Sequence, residues 1–189
     1  MAIATDASDL CNAVEAQLRA NVGPVIAALG LASLLETPSL YQQDPEVQAL
    51  INADFPAVGI ASGGTNGEME RQRSSGTWST AFSVEIIVID RGYDHDVTQL
   101  KARKWATVVK GALLLDESLG GIADGLKPSG ESYLPPITSS AAFTSAVSLT
   151  FDIRLERALN VTALREAITS SPTVDAVAPT VSLHPNTQE

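Results

Sequence analysis

The stretch FTSAVSLTFDIRLE, residues 143–156, decides how this chain folds. Phe143, Val147, Leu149, Phe151, Ile153 and Leu155 alternate with Thr144, Ser148, Thr150, Asp152, Arg154 and Glu156. Successive side chains of a strand point to opposite faces. Period two therefore predicts a long strand with one side in the core and the other wet or facing a neighbour.

Upstream of it, a third strand is expected between Ile122 and Tyr133, with Pro135-Pro136 interrupting it. Before that, Asp94 or Asp96 opens a helix to about Leu115. Val97, Trp105, Val108, Val109, Ala112 and Leu115 share one broad face. Lys101, Arg103, Lys104 and Lys110 decorate much of the remainder. Leu119-Gly120-Gly121 stops this helix, as glycine does just past a helix end. Trp78, Phe82, Val84, Ile86 and Val88, set against Thr77, Ser79, Ser83 and Glu85, mark the second strand. Phe55 to Ala61 is the first. Ser62 to Gly67 between them has turn chemistry, because glycine and asparagine tolerate positive φ.

At the N-terminal end, Asp6 or Ser8 caps a helix carrying Leu10, Val14 and Leu18 at four-residue spacing, with Cys11 beside them. Asn21 to Pro24 is expected to end it, since proline lacks the N–H and pushes its predecessor out of helical geometry. A second helical piece would run from Pro24 to about Leu35, followed by a loop, Glu36 to Gln43. Asp44-Pro45-Glu46 reads as cap, first-turn proline and acidic first turn of a short helix to about Ala53.

Downstream, the alternation fails from Ala158. A short helix from about Thr162 to Thr169 is expected, then an arm of Pro, Thr, Val, Ala and Ser. The order is helix, two strands, helix, two strands, arm. This predicts an α+β domain over residues 1–157, a mostly antiparallel sheet of about four strands with helices packed on one face. Residues 158–189 form a C-terminal arm or extension.

Composition bounds the function. At 189 residues the chain needs no metal or disulfide to hold a core. With 5% aromatics, that core must be mostly Ala, Val, Ile and Leu. The single cysteine, Cys11, reads as a small apolar helix residue. Met1 to Asp6 has no basic n-region, so no secretory leader is expected. Val22 to Leu35 is interrupted by Gly23, Pro24 and Gly30 and is too short to span a membrane. A soluble protein of a reducing cytosol is expected. The net charge of −10 argues against a sequence-reading nucleic-acid binder. It is compatible with a ring through which DNA slides, because an acidic lumen repels phosphate.

Little chemistry can be assigned. Ser62 to Gly67 lacks the Gly-Lys-Ser/Thr ending of a phosphate loop. Asp90, Asp94, His95 and Asp96 cluster at a strand–helix junction, where capping is the expected role; their spacing matches neither a calcium loop nor a zinc motif. A serine or cysteine nucleophile would need His95 or His184 as its base, and no Gly-x-Ser-x-Gly elbow is present. No pair of carboxylates is singled out for glycoside chemistry. No enzyme activity, metal or cofactor is expected. Lys101, Arg103, Lys104 and Lys110, with Arg71 and Arg73, read as a solvated face or as a surface for an acidic neighbour such as another copy of the chain.

The layout resembles the tail terminator proteins of long-tailed bacteriophages. The N-terminal helix leads to Asp54-Phe55-Pro56-Ala57-Val58-Gly59-Ile60, an aspartate–aromatic–proline entry into a strand. The long strand Trp78 to Asp90 follows, then the turn Asp94-His95-Asp96 and its helix. That helix leaves through Asp116-Glu117-Ser118-Leu119-Gly120-Gly121, and the long alternating strand closes the sheet. The resemblance covers about residues 6 to 157; Pro24 to Gln43 and the arm exceed the compact pattern. It implies a structural virion protein at the head-proximal end of the tail, assembled in the host cytoplasm. Six copies would form a ring that caps the tail tube protein, stops its polymerisation and docks the neck, connector or head-closure protein. Genomic DNA would pass through the ring without sequence-specific binding, and no cofactor or membrane would be involved. Another head–tail joining or tail-tube-like virion protein fits parts of the same layout. A small cytoplasmic enzyme or binding domain is the remaining class.

Overall fold

The computed structural model describes residues 4–43, 55–72, 75–139 and 142–170. The long alternating strand is there as expected. It is β6, Ala142–Asn160, and it lies inside a six-stranded sheet. Its partners are β4 (Thr77–Gly92) on one side and β5 (Gly125–Ser139) on the other, both antiparallel. Beyond β4 come β2 (Ala57–Thr65) and, at the far edge, β1 (Leu40–Gln43). The two-residue β3 (Glu70–Arg71) also pairs with β4. Helices α1 (Ala7–Ala28) and α2 (His95–Leu114) pack against each other and on one face of the sheet. Helix α3 (Val161–Ser170) follows β6 directly, its first turn capped by Asn160 through the Ala163 amide at 3.0 Å.

The fold class is α+β, as the sequence predicts, with more strands than expected and one parallel pair. β1 runs parallel to β2, with Leu40 opposite Ala57 and Gln43 opposite Ile60. The sequence predicts a loop from Glu36 to Gln43, because a four-residue edge strand is too short to show alternation. Ser62 to Gly67 is likewise not a plain turn. β2 continues to Thr65 through a bulge between Ser62 and Gly64, and Gly64 takes φ of +83°. β5 starts at Gly125 rather than Ile122 and outruns its expected end at Tyr133. It passes Pro135-Pro136 by a register shift between Leu134 and Ile137. Proline is tolerated there because β5 is an edge strand, and a bulge needs no ladder N–H from it.

The core lies between sheet and helices. Val84, Ile86 and Val88 of β4 face it beside Val147, Leu149, Phe151, Ile153 and Leu155 of β6. Ser145 breaks the apolar run but is buried, and its hydroxyl donates to the Thr98 carbonyl at 2.9 Å. Thr77, expected on the wet face, is 2% exposed. The register shift between Trp78 and Thr80 upsets the simple alternation at that end of β4.

α1 is one helix, not two. Its buried stripe Leu10, Cys11, Val14, Leu18, Val22 and Ile26 runs through Pro24 to the C-cap at Leu29. Packing of that stripe offsets the single hydrogen bond a proline removes. Gln17 and Asn21 on the same helix finish α2. Gln17 Nε2 donates to the carbonyls of Leu113 and Asp116 at 3.1 Å, and Asn21 Nδ2 donates to that of Ala112 at 3.2 Å. The Ala112 and Leu113 carbonyls lie in the last turn of the helix, where i+4 donors run out, and Leu113 accepts in addition from the Asp116 amide at 3.3 Å. On α2 itself, the core face is Thr98, Ala102, Trp105, Ala106, Val108, Val109, Ala112 and Leu113; Val97 and Leu115 are exposed. The expected helix at 44–53 lies outside the described residues. So does the arm beyond Ser170.

Tyr41 on β1 is buried, and its hydroxyl has no hydrogen-bond partner among the described residues. Burial pushes that hydroxyl up to about 12, while the Arg19 guanidinium stacks 4.5 Å from the ring centroid. Tyr41→Phe keeps the ring and the cation–π contact. It should raise stability by up to about 1 kcal/mol, because an unpaired buried hydroxyl costs roughly 1–3 kcal/mol. A urea melt showing a clear loss of stability would mean that the hydroxyl has a partner.

Candidate functional site

The chain offers surfaces rather than a catalytic pocket. The sheet face opposite the helices divides in two. At one end Ala57, Ile89 and Ala146 form a small buried apolar cluster with Leu40, Phe55 and Ile87 packed on it. Along the rest, the register lines up Glu85 with Thr150, Ser83 with Asp152 and Ile87 with Ser148. Ser148 Oγ donates to Glu85 Oε1 at 2.5 Å, and Asn66 Nδ2 donates to Asp152 Oδ1 at 2.9 Å. Among the described residues no second layer covers this polar stretch. The alternation that sends Val147 to Leu155 inward sends these groups outward.

The junction that groups Asp90, Asp94, His95 and Asp96 in sequence separates them in space. Asp94 is the N-cap of α2, its carboxyl accepting from the Val97 amide at 2.9 Å. His95 stands edge-on to Phe143 and contacts Asp96 at 3.0 Å. Asp90 does not cap. It is buried on β4, and its Oδ2 accepts from the Trp105 indole N–H at 2.8 Å. Its Oδ1 accepts from the Arg91 amide at 2.7 Å and Lys101 Nζ at 3.4 Å. The knot pins the first half of α2 to β4. Gly92 lets the helix start approach this closely, because a Cβ there would collide with the Thr98 hydroxyl. Among the described residues no group of three or more His, Cys, Asp or Glu is placed to hold a metal ion. No helix among them is long and apolar enough to cross a membrane.

The six basic residues singled out in the sequence do not form one patch. Lys101 also donates to the Arg91 carbonyl at 3.1 Å, so it serves the Asp90 knot. Lys110 pairs with Glu131 of β5 at 2.6 Å. That ammonium, with the Tyr133 hydroxyl, holds the Glu131 carboxyl below its usual range. Arg103 and Lys104 are exposed and make no ion pair among the described residues. Arg71 is exposed on β3, opposite Trp78. Arg73 lies outside the described residues.

Exposed apolar groups, which the sequence reading did not single out, mark two further places. Tyr133, Leu134 and Ile137 stand on the last part of β5, the latter two 56% and 67% exposed. Gln99, Ala102 and Arg103 of α2 meet Tyr133, Leu134 and Pro135 in a notch there. In the turn that precedes β5, Ile122 lines a shallow depression with Ala4, Thr5, Asp9, Asn12 and Ala13. The apolar residues in an irregular, proline-containing edge strand were the available signal for the first place.

Comparison with known proteins adds little. No family model and no curated protein matches the sequence. Among solved structures, one chain of undescribed function matches at 16% identity and a TM-score of 0.31, over 75% of this chain and 96% of that one. A chain from the virion of a native gene transfer agent particle matches at 15% identity and a TM-score of 0.29, over 76% of this chain and 97% of that one. At TM-scores this low, neither match carries weight for fold or function.

Proposed function

We propose that this chain is a structural subunit of a phage-like virion, and within it the tail terminator. Copies of it would form a ring, six in the pattern the sequence resembles, at the head-proximal end of the tail. The ring would cap the tail tube protein, stop tube growth and present a surface to the neck, connector or head-closure protein. The observation that supports this best is the polar sheet face that nothing among the described residues covers. Glu85, Ser148, Thr150 and Asp152 are spread along two long, rigid strands. A ring subunit has a use for such a face, against a neighbour or along a channel. The face is mixed in sign, with Glu85 and Asp152 beside Lys127 and Arg154, so it is the chain charge of −10 as a whole that would repel phosphate and let genomic DNA slide. This role needs neither cofactor nor membrane. Of the six basic residues singled out in the sequence, the described Arg71, Arg103 and Lys104 remain for contacts between subunits, since Lys101 and Lys110 have acidic partners inside the chain.

The test is genetic and structural. Phage assembled without this protein should accumulate overlong tails that lack heads, visible by negative-stain microscopy. Tails of normal length that merely fail to join heads would sink the terminator assignment and favour another neck protein.

A further inference from the structure

The outer face of the sheet carries one apolar row from edge to edge. The register sets Leu40, Ala57, Ile89, Ala146 and Leu134 opposite one another across β1, β2, β4, β6 and β5. Ala57, Ile89 and Ala146 are buried, with Leu40 and Phe55 packed on them. At the β5 edge that cover ends. Leu134 is 56% exposed, and Ile137, opposite Thr144 on the same face, is 67% exposed. An apolar surface that continues a buried cluster out to an open edge is the kind a partner covers. The sequence after Ser170 holds a segment of matching form. Val177, Pro179, Val181 and Leu183 alternate with Ala178, Thr180 and Ser182. Period two gives an extended segment one apolar side.

We propose that residues 177–183 of one copy of the chain lie, extended, over the Leu134 and Ile137 strip of the next copy. The proposal rests on the ring reading and names a contact that would join its subunits. Reach selects the second copy. α3 follows Asn160 directly and packs at the start of β4, where Thr162 stands against Gly76, so it does not carry the chain back toward Ala146. From Asn160 to Ala146 along β6 is about 40 Å at ~3.3 Å per residue. Residues 171–177 span at most about 25 Å when fully extended. Val177 therefore falls short of the strip on its own chain, while a neighbour's strip is free to stand within reach. A segment on one copy and a strip on the other are different surfaces, which makes the contact heterologous, the kind that closes into rings. Prolines select the mode. Pro135 and Pro136 in β5 and Pro179 in the segment offer no ladder N–H, so the segment rests on apolar side chains and does not add a strand.

The experiment uses two full-length variants, Leu134→Cys and Val181→Cys, mixed in equal amounts and oxidised with copper phenanthroline. A disulfide between positions 134 and 181 should join one variant to the other, seen as a dimer on a non-reducing gel and located by peptide mass. Cys11 is buried, so the wild-type chain serves as the blank. Lys127→Cys, exposed near the other end of β5, should bridge to Val181→Cys at least tenfold less. Equal bridging at the two positions, or no bridge at 134, would overturn the contact. With both changes in one chain, covalent ladders are expected; an internally bridged monomer as the main product would overturn the second copy as occupant. Native mass spectrometry gives an independent reading. Leu134→Asp with Ile137→Asp, and separately Val181→Asp with Leu183→Asp, should each weaken association by tenfold or more. The first pair should leave the circular dichroism spectrum and melting midpoint unchanged, since both side chains are exposed. Oligomers that survive both pairs, or a wild-type chain that stays monomeric throughout, would refute the proposal. Tail length is read separately in infected cells. Overlong tails on deletion, without the 134–181 bridge, would remove this contact and leave the terminator reading standing.

Discussion

Phe151→Asp should yield no cooperatively folded protein, whereas Thr150→Asp should fold and melt close to the wild type. The residues are neighbours on β6, so the contrast isolates the face each occupies. Phe151 is 1% exposed, opposite Val84 on β4 and Pro128 on β5, and belongs to the main core. Losing a buried phenyl ring costs about 3–5 kcal/mol. An unpaired carboxylate in its place adds a desolvation penalty of several kcal/mol more, against a total stability of about 5–15 kcal/mol. Thr150 is half-buried on the polar face, opposite Glu85. A carboxylate there meets a like charge across the strands, which costs up to about 1 kcal/mol in water-exposed surroundings. Far-ultraviolet circular dichroism and thermal melts of the two variants decide the matter. Equal behaviour would mean that the two faces of β6 are wrongly assigned.

The second large effect is expected at the Asp90 knot. Trp105→Ala should lower stability by about 3–5 kcal/mol, since a fully buried indole leaves a cavity behind. Trp105→Phe is the sharper probe. It keeps most of the ring and removes the N–H that reaches Asp90 Oδ2 at 2.8 Å. A buried carboxyl oxygen that loses its donor should cost about 1–3 kcal/mol. Urea denaturation followed by circular dichroism measures both. A Trp105→Phe variant as stable as the wild type would show that the bond contributes nothing and that the indole acts only by volume.

The site was much less legible than the fold, for a physical reason. Asp90, Asp94, His95 and Asp96 form one cluster by spacing. Three of them sit at the helix start, while the period of β4 turns the fourth inward to a tryptophan fifteen residues on. Lys110 looked like one more member of a basic face until β5 brought Glu131 beside it. Exposed apolar groups carry no catalytic spacing at all. Tyr133, Leu134 and Ile137 are ordinary strand residues until the structure shows that β5 is an edge and that nothing described covers them.

By itself, the sequence determined the elements whose signals are local. The alternation from Phe143 to Glu156 made β6 a long strand with one buried face. The capping signals, Asp6 or Ser8 and Asp94 or Asp96, placed the starts of α1 and α2, where the structure selects Asp6 and Asp94; the four-residue spacing from Leu10 to Leu18 chose the face that α1 buries. These depend on neighbours in the chain, whose spacing is fixed by covalent geometry. Tertiary structure decided what depends on distant partners. Burial of Val22 and Ile26 carried α1 through Pro24. Pairing with β2 made a strand of Leu40–Gln43, and pairing with β6 carried β5 past two prolines. In each case long-range packing or pairing outweighed a local preference worth only a few kcal/mol.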